Sequence, residues 1–180
     1  VSFHMLFRRH PGKVWFRNPE LRILKPPAGA CLFDGVPVSL TGLREEGFQV
    51  RDVAANSNFV RLERCALGLE LTHQRQQGDD MTLVDVTVSD TTGKDRAITL
   101  IYTVPVSAKK CRWFQDPRRS LVVEAGREYV SAGGFPAGAN GRLSRYPLAA
   151  VGSADKGVGL GIDMAQPAFF RVGYNAETEE

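Results

Sequence analysis

The sequence predicts an all-β protein arranged as a β-sandwich. Three observations carry that expectation. Apolar residues recur with a period of two in run after run, as half-buried strands require, and helical periodicity is scarce. Glycine (18) and proline (10) stand at or above ordinary usage and fall between those runs. Hydrophobic residues make up 43% of the 180, enough to build a packed core in one domain spanning 1–180.

The elements follow in chain order. Residues 1–37 are the least regular. The prolines of "RNPELRILKPPAGACLFDG" block central-strand pairing, so this part is expected to wrap the core or to lead from something before it. In "CALGLELT", Cys65, Leu67, Leu69 and Leu71 alternate with Ala66, Gly68, Glu70 and Thr72. "HQRQQGDD" follows as a turn signal. In "MTLVDVTVSD", Val84, Val86 and Val88 share one face and Asp85, Thr87 and Ser89 the other. "DTTGKD" (90–95) reads as a hairpin connection, with Gly93 free to take a positive φ and the Asp side chains free to bond nearby N–H groups. "RAITLIYTVPV" places Ile98, Leu100, Tyr102 and Val104 on one face. "SAGGFPAGANG" (131–141) reads as a long loop, and "SADKG" as a turn. Val158, Leu160, Ile162 and Met164 alternate with glycines and Asp163. "AFFRVGY" groups Phe170, Val172 and Tyr174. So many short strands need edges protected by charge, proline or neighbouring segments.

Composition bounds the function. A net charge of +3 does not suit a dedicated nucleic-acid binder, and no apolar run of about 18 residues exists to span a membrane. The opening "VSFHMLFRRHPGK" has neither signal-peptide order nor an initiator Met, which reads as a processed chain or a piece of a longer one. Cys31, Cys65 and Cys111 lack CxxC spacing and read as buried or half-buried thiols.

Catalytic and metal signals are weak throughout. His4, His10 and His73 have no spacing that brings two of them to one metal, so no metal and no cofactor are expected. Asp79, Asp80, Asp85, Asp90 and Asp95 form an acidic series. Two carboxylates across a sheet suit glycoside hydrolysis, and Asp90 with Asp95 suits Ca²⁺, but "DTTGKD" lacks the length of a Ca²⁺ loop and reads as turn chemistry. No GxSxG, HExxH, GxGxxG or GxxxxGK[ST] occurs.

One stretch stands out as a candidate ligand surface. "WFQDPRRS" offers Trp113 and Phe114 for stacking, Asp116 as an acceptor, and Arg118 and Arg119 as cationic donors. The competing reading is a buried Trp113 followed by an Asp-Pro turn.

Several quoted segments together carry a resemblance. "GKDRAITLIYTVPV", "WFQDPRRS", "SRYPLAAV" and "GVGLGIDMAQPAFFRVGYN", within residues 44–176, resemble the N-terminal β-sandwich domain of large glycoside-hydrolase-like bacterial proteins. That domain is similar to the galactose mutarotase-like supersandwich. The resemblance implies a twisted antiparallel two-sheet sandwich and a carbohydrate context, outside the cytoplasm or in a periplasm. It also implies an adjacent catalytic domain in a longer polypeptide. The histidine pair and glutamate of mutarotases have no counterpart here, since His73 stands alone within the resembling region.

The leading expectation is therefore a non-catalytic domain that packs on a catalytic partner domain or contacts sugar. One alternative is a sugar epimerase or lyase using Glu63, Asp85 and Asp116, with Arg118 or Arg119 gripping a substrate anion. Another is a protein-interaction module docking through residues 3–15.

Overall fold

The structure, a computed structural model, describes residues 17–18, 30–33, 36–40, 45–62, 67–94, 96–107, 109–136, 142–165 and 168–180. Among these the chain is all-β, with no α-helix. Its strands pair antiparallel in six sheets of two to four strands.

The N-terminal half holds three of these sheets. β1 (Ala30–Phe33) and β2 (Val36–Leu40) form a hairpin. β3 (Gly47–Asp52) lies between β4 (Val60–Arg61) and β7 (Ile98–Thr103). β5 (Leu69–Gln77) and β6 (Thr82–Asp90) form a nine-residue ribbon with unbroken register. The turn of that ribbon is only four residues, closed by the Gly78 N–H on the Met81 carbonyl at 2.7 Å. "HQRQQ" is thus strand, where turn chemistry was expected. Long polar side chains suit it because both faces of this half of β5 are exposed.

The apolar faces of the β4-β3-β7 sheet and of the β5–β6 ribbon meet. Phe48, Val50 and Leu62 are buried among Leu69, Leu71, Val84, Val86, Val88, Ile98, Leu100 and Tyr102. Each fully buried side chain of this size contributes about 1.5–3 kcal/mol. The valine and isoleucine alternation read from the sequence therefore marks real inward faces. Residues 90–94 bend but do not close a hairpin, and Asp95 lies outside the described residues. β6 pairs with β5 and β7 with β3, so the turn carries the chain from one sheet to the other.

The C-terminal half centres on the order β14-β13-β8-β9. Its strands are β8 (Arg112–Asp116), β9 (Arg119–Val122), β13 (Leu148–Gly152) and β14 (Gly157–Gly161). β10 (Glu128–Val130) pairs with β15 (Gly173–Asn175), and β11 (Ala132–Pro136) with β12 (Arg142–Ser144). Half of the expected long loop 131–141 is therefore strand. Cys111, Trp113, Tyr129, Ala149, Val151, Val172 and Tyr174 form the second buried cluster. Val172 and Tyr174 face the core as their spacing predicts, although the strand begins only at Gly173. β14 ends at Gly161, so Ile162 and Met164 lie beyond it and are exposed. "SADKG" is the β13–β14 turn, with the Ser153 N–H on the Lys156 carbonyl at 2.7 Å. Of the cysteines, Cys111 is a buried free thiol. The side chains of Cys31 and Cys65 lie outside the described ones.

Candidate functional site

The residues of "WFQDPRRS" separate onto two faces. Within β8, Trp113 points inward and is 2% exposed, tilted against Tyr129 with ring centroids 6.3 Å apart. Trp113 thus takes the competing reading from the sequence, that of a packed core residue. Alternation on β8 sends Phe114 to the opposite face, where it is 38% exposed. Asp116 accepts the Arg118 N–H at 2.7 Å, which closes the turn into β9. Arg118 and Arg119 are exposed and make no ion pair with a described residue. Register puts Ala150 and Ser120 beside Phe114, with Gly159 next across β13. Leu148 (55% exposed) and Val122 (56%) share this face. The outer face therefore carries small residues on β14, one aromatic with two aliphatic flanks, and Arg112, whose Nε–H donates to Ser120 Oγ at 2.8 Å.

Of the carboxylates proposed for acid–base work, Glu63 lies outside the described residues, and Asp85 and Asp116 are on different sheets. Asp85 is exposed on β6 opposite Gln74, and Asp116 is tied into its turn on another sheet. Asp90 is occupied by Thr92 and Arg96. Among the described residues, no three His, Cys, Asp or Glu side chains are placed to share a metal ion.

The structure instead brings together a set that sequence reasoning passed over. Glu46, His73, Arg75 and Tyr102 line a cleft of about 240 Å³ with Gly47, Phe48 and Val84. The ribbon makes this cleft. Its inward face runs Leu69, Leu71, His73, Arg75 by alternation, so it turns polar where it passes the end of β7. Tyr102 donates its hydroxyl to Glu46 Oε1, and Arg75 Nη1 reaches the same oxygen at 3.1 Å. Phe48 lies against the Tyr102 ring, centroids 4.7 Å apart, as the apolar floor.

Burial, then the Glu46 hydrogen bond and charge, push the Tyr102 phenol up to about 12. Tyr102 therefore keeps its proton at neutral pH and serves as a donor. Glu46 Oε2 is left as an acceptor facing the cleft, and Arg75 retains unused N–H groups. Glu46 and Arg75 cancel in charge. Only His73 had been singled out from the sequence. Tyr102 had been read as an inward strand residue, and nothing local marks Glu46, 56 residues away, as its partner.

Compared with protein-family profiles, with curated proteins and with solved structures, the chain finds no significant match.

Proposed function

We propose that this chain is a non-catalytic β-domain of a carbohydrate-associated protein, supersandwich-like in its relation of sheets, and that it contacts sugar at the Glu46–Arg75–Tyr102 cleft. The observation that supports this is the unshared donor and acceptor set over an aromatic floor. A vicinal diol both gives and takes hydrogen bonds. Glu46 Oε2 takes, Arg75 gives, and the neutral pair repels neither an uncharged ring nor its hydroxyls. At about 240 Å³ the cleft is below the usual ligand-pocket range of about 300–1,000 Å³, so it suits one ring rather than an extended oligomer. Such a shallow site binds weakly, with a Kd on the order of 1 mM, about −4 kcal/mol.

The outer face of β8 favours a second role for the same domain. Phe114, Val122 and Leu148 are exposed together on one sheet face beside the glycines of β14, the kind of patch on which an adjacent domain of a longer polypeptide packs. The epimerase or lyase reading has less to support it, because Asp85 and Asp116 stand on different sheets and each is placed at a strand or turn of its own. The 3–15 segment of the interaction-module reading lies outside the described residues.

The test is an NMR titration with neutral monosaccharides and their methyl glycosides. Saturable shifts at residues 46, 73, 75 and 102, weakened about tenfold by Glu46→Gln or Arg75→Ala, support the cleft. Shifts confined to residue 114 and its neighbours, abolished by Phe114→Ala, move the contact to the outer face of β8. No saturable shift with any neutral sugar overturns the reading.

A further inference from the structure

β3 is buried on both faces. Phe48 and Val50 face the apolar cluster, while Gln49 (0% exposed) and Arg51 (5%) face the other way. Arginine keeps its charge in proteins, so Arg51 is a cation withdrawn from water. A buried charge is costly unless a counter-charge and hydrogen bonds meet it. Here no carboxylate among the described residues pairs with it. Arg51 Nη2 donates to the Asn56 side-chain oxygen at 3.2 Å, and its guanidinium carbon stands 5.7 Å from the Phe59 ring centroid. Both are neutral partners. The Nε–H is buried with no acceptor among the described residues.

The nearest acid in the chain is unable to help. Asp52 leaves β3 on the opposite face, where Oδ2 meets Arg96 Nε and Nη2 at 3.2 and 3.1 Å, and Oδ1 takes the Ala55 N–H at 2.9 Å. On the Arg51 face, the register sets Thr99 opposite Arg51 and a second arginine, Arg61, opposite Gln49. Arg61 is engaged by Glu45 at 3.6 Å. The face therefore has one more arginine than described acids to neutralise it. Burial also pushes the Arg51 guanidinium down from its usual value, the direction expected of a cation without a counter-ion.

We propose that Arg51 anchors an oxyanion-binding site, in which a carboxylate or phosphate oxygen accepts the Nε–H beside the Asn56 turn. The planar guanidinium edge offers parallel N–H groups, the geometry that carboxylate and phosphate oxygens fill two at a time. The turn at 53–56 borders this guanidinium: Ala54 and Ala55 are exposed, and Asn56, at a positive φ of 50°, turns its side-chain oxygen to Arg51.

Thermal unfolding of the full chain in potassium phosphate, and separately in potassium acetate, tests this against potassium chloride at matched ionic strength. The wild-type midpoint is expected to rise saturably with at least one oxyanion. The rise is about 5–10 °C at a hundred times the half-saturating concentration. Arg51→Met should abolish the rise, and Arg51→Lys should weaken it at least tenfold because the planar fork is lost. Arg145→Met, at an exposed arginine, should leave it intact. An equal rise in Arg51→Met, or no excess over chloride with either anion, overturns the site. Should Arg51→Met fail to fold, the wild-type Arg51 Nε–H resonance decides. A saturable shift with either anion supports the site, and a resonance unmoved by both overturns it.

Discussion

Trp113 and Phe114 are chain neighbours on opposite faces of one sheet, the first 2% exposed and the second 38%. Their substitutions should therefore separate stability from surface contact. Trp113→Ala opens a large cavity in the C-terminal cluster and should cost about 3–5 kcal/mol. Phe114→Ala should cost about 0.5 kcal/mol or less, as exposed positions do. Urea unfolding of both variants checks this. Equal losses would mean that the two rings share one environment.

Trp113 carries a second prediction in its indole nitrogen. Nε1 is buried and has no hydrogen-bond partner among the described residues. An unmet buried donor costs about 1–3 kcal/mol, which Trp113→Phe removes while it loses some packing volume. The two effects oppose, so Trp113→Phe should lie within about 1 kcal/mol of wild type. A loss as large as that of Trp113→Ala would mean that water or a partner satisfies the indole.

Asp52 and Arg96 join the end of β3 to the start of β7. The Asp52 carboxyl sits below its ordinary value of 3.8, first because it accepts the Ala55 N–H and then because of Arg96, with burial acting the other way. The folded state thus holds this proton more weakly than the unfolded chain. The stabilisation is full above pH 3.8 and is lost as pH falls through the lower folded value. Asp52→Ala should cost about 1–3 kcal/mol at pH 7 by stranding buried partners, and much less at pH 2–3. Unfolding at both pH values reads the difference, and a pH-independent loss would contradict it.

These relationships show what local sequence carries and what it does not. The inward faces of β6 and β7 are visible as Val84, Val86, Val88 and Ile98, Leu100, Tyr102, because period-two burial is a local property. Which strands pair is not local. "DTTGKD" has the composition of a hairpin, yet it crosses between sheets, since Asp90 is held by Arg96 and the Gly68 carbonyl takes the Thr91 N–H. The cleft was hidden for the same reason. Glu46 lies 29 residues from Arg75 and 56 from Tyr102 in the chain, and only the packing of the ribbon over β3 and β7 brings them together. The aromatic-basic "WFQDPRRS" was conspicuous in composition, but alternation on β8 divides it between core and surface.

Tyr102 should be identifiable by phenolate absorbance through its own variants. Its phenol is pushed up to about 12, by burial first and by Glu46 second. Glu46→Gln removes the second cause and keeps the first. The late phenolate step should then move down towards 10 without reaching it, and Tyr102→Phe should delete it. The sign for stability is the reverse of that for Asp52. The folded state holds the phenol proton more tightly, so the contribution is full below pH 10 and is lost as pH rises towards 12. A late step that survives Tyr102→Phe would assign it to another tyrosine.

Two glycines of the β13–β14 hairpin give the sharpest local contrast. A Cβ built on Gly157 would sit 3.0 Å from the Val151 carbonyl oxygen and 3.1 Å from the Gly152 Cα, both backbone atoms that cannot turn aside. A Cβ on Gly159 meets nothing closer than the Ala149 carbonyl oxygen at 3.7 Å, an ordinary contact. Both residues lie on the same strand and on the same outer face, opposite Gly152 and Ala150. Strand propensity is therefore common to the two, and only the space differs. Gly157→Ala must push the strands apart at the closing pair of the hairpin, and should cost about 1–3 kcal/mol, as overpacking does. Gly159→Ala should be neutral or stabilising by up to about 1 kcal/mol, because it reduces the freedom of the unfolded chain at no cost in contact. Unfolding midpoints of the two variants, compared side by side, check the difference. Equal effects would show that the hairpin end yields to a methyl group, and that the close approach of Gly152 and Gly157 is not a constraint on β14.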